Sequence, residues 1–196
     1  MADFDKLIDQ RLFCELTDLS QASLLDACLG RDNYPLLPGR HDKDEISSGN
    51  PLTYADALAI FVAGQIERDC HYSFQEGLRL LSYAGGIEAF RDYHATADYR
   101  TLDDFWLGKV LVHVDGEPLP SMPSTFADYQ VPGHYVGPLH QVMAQINHRI
   151  SMDEVCKGVA PSSIILVNIS TANRRLRRRA DALGIDLGQP DLNVQD

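Results

Sequence analysis

Positive charge is scarce in this chain. Over 196 residues, 17 Lys and Arg stand against 28 Asp and Glu, a formal net charge of -11. A uniformly basic coat for nucleic acid is therefore excluded, and any phosphate contact must come from a local patch. Long apolar runs are missing too. None approaches the roughly 18–20 residues of a membrane span, so no membrane partner is expected. The acidic opening Met1–Lys6 lacks the basic and apolar regions of a signal peptide, which predicts a cytoplasmic location. Cysteine is sparse: Cys14, Cys28, Cys70 and Cys156 form no C-x-x-C pair and no zinc or redox spacing. Reduced, buried thiols that act as small apolar residues are expected.

Catalytic signatures are also missing. His134, His140 and His148 make no i, i+4 pair, and no H-E-x-x-H occurs. There is no G-x-S-x-G elbow. Gly85-Gly86 lacks dinucleotide spacing, and Asp42, Asp44 and Glu45 lack the glycine and terminal glutamate of a calcium loop. Asp103-Asp104 suits the first turn of a short helix, where carboxylates favour the dipole. A non-enzymatic protein with no metal and no cofactor is the expectation.

What is present is enough apolar sequence, 44% of residues, for a real core. Phe4–Leu19 has apolar residues at three- and four-residue steps, the pattern of one helix. Ser20 starts a second, short helix that stops at Gly30. Residues from Asn33 to Pro51 read as a loop, with room for short strands near Tyr34–Leu37 and Ile46. Thr53 is placed to cap a helix from Tyr54, and Ser73 with Glu76 forms a capping box for Phe74–Tyr83. Trp106–Val114 reads as a strand, 116–138 as irregular, and Leu139–Ile150 as an amphipathic helix. Ser163–Ile169 reads as a buried, central strand. Ser170 is then expected to cap Thr171–Leu183, a helix ended by Gly184. Leu16, Leu24, Leu25, Leu58, Phe61, Ile66, Leu78 and Leu81 are the expected core of the first half.

The order of the first half carries a resemblance. Leu16-Thr-Asp-Leu-Ser-Gln-Ala-Ser-Leu-Leu25 forms a helix, tight turn and second helix; Leu36-Leu-Pro-Gly-Arg40 leads into a loop. Leu52-Thr-Tyr-Ala-Asp-Ala-Leu58 and Ser73-Phe-Gln-Glu-Gly-Leu78 open two further helices. Over Phe13 to Ala84 this resembles the winged-helix DNA-binding domain of MerR-like transcriptional regulators. Ile164–Leu176 looks like the ending of some of them. The resemblance implies a helical winged-helix (helix-turn-helix) domain at 1–88; the mixed strands and helices that follow read as a smaller α+β domain at 89–187, so an α+β protein is expected. A disordered tail at 188–196 is expected after them.

It also implies double-stranded DNA as partner and a homodimer, since one short helix reads few base pairs. Gln21 and Ser23 would face the bases, with Arg31, Arg40 and Lys43 on phosphates. The chain departs from the family in charge: residues 1–90 carry a net -8. Arg174, Arg175, Arg177, Arg178 and Arg179 are the exception, spread around most of a helix whose buried stripe is Leu176, Ala180 and Leu183. Arg174, Arg175 and Arg178 join the expected DNA contacts. The rival reading is an interaction module, of antirepressor or immunity type, whose acidic surface binds another protein instead of DNA.

Overall fold

The computed structural model describes residues 3–21, 24, 37, 52–70, 72–96, 103–111, 134–157 and 163–188. Among them lie six helices and two small antiparallel sheets, a mixed α+β arrangement. The order is β1 (Leu7–Ile8), α1 (Gln10–Thr17), β2 (Leu52–Thr53), α2 (Tyr54–Cys70), α3 (Phe74–Ala84), α4 (Gly86–Thr96), β3 (Phe105–Leu111), β4 (His134–Pro138), α5 (Leu139–Lys157), β5 (Ser163–Asn168) and α6 (Ile169–Ala182).

The expected helix over Phe4–Leu19 is shorter. Leu7 and Ile8 pair with Thr53 and Leu52 in a two-stranded ribbon. The helix starts only at Gln10, because the Asp9 carboxylate accepts the Arg11 N–H and caps it. Asp18, at φ 61°, ends it in the left-handed conformation. The Ser20 carbonyl then accepts the Leu24 N–H at 2.9 Å, a helical bond where the second helix is expected.

Two caps stand where the sequence places them. The Thr53 hydroxyl accepts the Asp56 N–H, while the Asp56 carboxylate accepts the Thr53 N–H at 2.8 Å. Ser73 and Glu76 make the same reciprocal pair at the start of α3. Gly85, at φ 56°, closes α3 in a conformation that costs glycine little, and α4 follows at once. α4 is a helix that the sequence pattern does not announce: no helix is expected between Tyr83 and Asp103.

The second sheet has the order β4-β3-β5. β3 is antiparallel to both neighbours, so β4 and β5 run parallel to each other and α5 joins them across the sheet. Among the described strands, the expected central strand β5 therefore lies at the edge, and β3 takes the middle because it pairs on both sides. His134–Pro138, expected to be irregular, is β4. On one face, Val110, Tyr135, Val142 and Ile146 form a small core under α5. On the other, Phe105, Leu107, Ile165 and Val167 join a larger cluster with side chains of α1, α2, α3, α4 and α6.

That larger cluster draws on both sides of the boundary expected at residue 88, which falls inside α4. Phe90 links the halves: its ring centroid lies 5.8 Å from Phe4 and 5.6 Å from Phe105. Buried Tyr54 adds a polar link, donating from its hydroxyl to Asn173 Oδ1 at 2.8 Å. Of the expected core, Leu16, Leu24, Leu58, Ile66, Leu78 and Leu81 are buried and Phe61 is half-buried. Leu25 lies outside the described residues, as do Tyr34–Leu36 and Ile46 of the expected loop strands, Val112–Val114 and the tail beyond Gly188; Leu37 is a buried residue in a bend.

Candidate nucleic-acid interface

α6 begins one residue before its expected Ser170 cap. The Asn168 side chain accepts the Thr171 N–H at 2.8 Å and caps the helix. Ser170 is buried instead, and its hydroxyl accepts the Phe105 N–H, locking the helix start to β3. Leu176 and Ala180 are buried as expected, joined by Ala172, Asn173 and Arg177, while Leu183 is half-buried. The Arg177 Nη2 donates to the Gly188 carbonyl at 3.4 Å. At helical spacing the remaining arginines, Arg174, Arg175, Arg178 and Arg179, share an outward arc of roughly 140°.

Their surroundings differ. Arg174 makes a two-pronged pair with Asp104, at 2.8 and 3.2 Å, and also donates to the Thr171 hydroxyl. Asn168 Nδ2 donates to the same carboxylate at 2.7 Å. Asp103 and Asp104 thus do not open a helix: they precede β3, where Asp104 ties the strand to α6. The Arg174 hydrogen bond holds the Asp104 carboxyl below its ordinary range. Arg175 and Arg178 are exposed.

Arg179 reaches across to α1. Its Nη1 donates to Asp18 Oδ2 at 2.7 Å and its Nη2 to the Glu15 carbonyl at 3.1 Å. α1 has no basic residue in its last turn, so Arg179 supplies the cation that its free carbonyls favour. The Arg179 hydrogen bond lowers the Asp18 carboxyl; Arg68, at the end of α2, lowers it further. Arg179 and Arg68 therefore both act on the turn that leads to Gln21, whose side chain is exposed, and the exposed Arg175 and Arg178 share the outward arc of α6 with Arg179.

Of the expected contacts, Gln21, Arg174, Arg175 and Arg178 are placed; Ser23, Arg31, Arg40 and Lys43 lie outside the described residues. Asp18 was missed by sequence reasoning. Its position directly after an apolar helical run, where aspartate tolerates a left-handed backbone, was the available signal. Its partner Arg179 is 161 residues away, and no local pattern announces that pairing.

A second group of ionisable side chains lies at the far end of β3. Lys109 Nζ sits 5.4 Å from the Tyr72 ring centroid, and its register partner on β4 is His134. Burial, then the Lys109 charge, pushes the His134 imidazole below its ordinary value. Among the described residues, no three His, Cys, Asp or Glu side chains gather in a way that could hold a metal ion. Cys14 and Cys70 are free thiols and only half-buried, not the buried residues expected; partial burial still pushes both thiols up. No helix among the described residues is long and apolar enough to cross a membrane. Comparison with protein-family models, curated proteins and solved structures finds no match.

Proposed function

We propose that this protein is a non-enzymatic DNA-binding transcriptional regulator, with a winged helix-turn-helix in its first 88 residues. It acts as a homodimer in the cytoplasm. In this reading the helix after Asp18 enters the major groove with Gln21 and Ser23 toward the bases. Arg175, Arg178 and Arg68 then lie against the flanking phosphates, joined by Arg31, Arg40 and Lys43. The observation that carries the reading is the bridge from Arg179 to Asp18 and Glu15. It brings the only arginine-dense segment of an acidic chain beside the start of the candidate recognition helix. Counterion release from such a patch gives affinity without an overall basic charge.

One observation favours the interaction-module reading: Arg174 and Arg179 already hold internal carboxylates, Asp104 and Asp18. Fluorescence anisotropy of a labelled DNA duplex at about 50 mM salt separates the two readings. The DNA reading predicts saturable binding, weakened on every sequence alike by Arg175→Ala with Arg178→Ala. An absence of binding would leave the interaction module in its place.

A further inference from the structure

We propose that Asp18 is a built-in competitor for phosphate on the arginine surface, so that DNA must displace its carboxylate from Arg179 before the patch engages fully. The proposal rests on the DNA-binding reading and names a control within that site. A guanidinium offers the same fork to a carboxylate as to a phosphate. Here the positions are layered: the Asp18 side chain is 77% exposed, and the Arg179 side chain with which it pairs is 35% exposed. The acid is the more exposed partner and occupies Arg179 Nη1, so a phosphate that binds that nitrogen must take the place of the carboxylate. Arg179 stays oriented when the acid leaves, because its Nη2 is held separately by the Glu15 carbonyl.

The backbone fixes this arrangement. Asp18 is the one non-glycine residue at positive φ among the described residues. That conformation ends α1 and sets the position of the carboxylate three residues before Gln21. Arg68 acts on the same carboxylate from α2, so the acid offsets charge from two elements of the patch. Removing it would leave the charge of both without that offset.

The test measures affinity for a labelled DNA duplex across a salt series, with wild type, Asp18→Asn, Asp18→Gly and Asp18→Asn combined with Arg179→Ala. Asparagine keeps the size and left-handed tolerance of the residue; glycine suits that backbone better still, so fold effects separate from charge effects. Both single variants should bind at least about threefold more tightly and steepen the log–log salt slope by about 0.9 per protomer. The added Arg179→Ala should abolish the gain. Binding that appears only in the Asp18 variants would overturn the proposal, because displacement of the carboxylate by DNA requires that the wild type bind. Unchanged affinity and slope, with wild type binding well, would overturn the proposal and leave the DNA reading intact. Binding by none of the proteins would overturn both.

Discussion

At Asp104 one carboxylate accepts hydrogen bonds from Arg174 and Asn168, and the folded state holds it ionised more firmly than water does. Burial, and then the Lys109 charge, pushes the His134 imidazole below its ordinary value. Both groups have a folded pKa below the unfolded one, so the unfolded chain binds more protons as pH falls. Their stabilisation is complete above the unfolded values, about 6.5 for histidine and 3.9 for aspartate, and is lost below them. Urea midpoints should therefore fall in two stages, from about pH 6.5 downward and again from about pH 4. His134→Gln should flatten the first stage alone, and Asp104→Asn should reduce the second, which Asp18 and Glu76 share. Parallel curves for His134→Gln and wild type would show that the imidazole contributes nothing to the acid response.

Elements were legible where a signal was local. Ser73 with Glu76 and Thr53 with Asp56 are three residues apart, and both predicted helix starts are where their side chains put them. β4 was not legible: His134-Tyr-Val-Gly-Pro138 is five residues with Gly and Pro, and it becomes a strand by pairing with β3. The start of α6 was ambiguous because Asn168, Ser170 and Thr171 are all capping types. The choice fell to tertiary contact, which gave Ser170 to the Phe105 N–H. Of the candidate site, the arginine run was plain in the sequence. The partners that divide it, Asp104 and Asp18, are long-range and were not.

Two glycines test the packing of these elements. A Cβ on Gly108 of β3 would lie 2.5 Å from Val142 Cγ1 and 2.9 Å from Ile146 Cδ1 of α5. Gly108→Ala should cost about 1–3 kcal/mol as an overpacked site. On α2, a Cβ at Gly64 meets only Arg68 Nη1 at 3.7 Å and the Phe74 ring at 4.0 Å, ordinary contacts. Gly64→Ala should stabilise by up to about 1 kcal/mol through helix propensity. Urea denaturation of both variants checks the opposite signs; a tolerated alanine at 108 would mean that α5 does not sit so close.

At the scale of the whole molecule, the larger core joins α1 and α2 to β3, β5 and α6. Leu58→Ala, at a fully buried position in α2, should cost about 2–5 kcal/mol. Trp106, the single tryptophan, lies on β3, 48 positions along the chain. With a shared core, its fluorescence and the far-ultraviolet dichroism should shift together in that variant. A fluorescence transition unmoved by Leu58→Ala would show that the halves unfold separately. Tyr54→Phe removes the hydroxyl that binds Asn173 and should cost about 1–3 kcal/mol.

The charge of the molecule makes salt the most direct test of its function. A chain of net charge -11 can hold DNA only through a concentrated patch. The measurement is the slope of log affinity against log salt for a labelled duplex, with wild type and with Arg175→Ala combined with Arg178→Ala. With about 3–4 phosphate contacts per protomer, a dimer should give a slope of roughly -5 to -7. The double variant should flatten it by about two units per protomer. A slope near zero, or one the two substitutions leave unchanged, would contradict the arginine surface as the DNA contact.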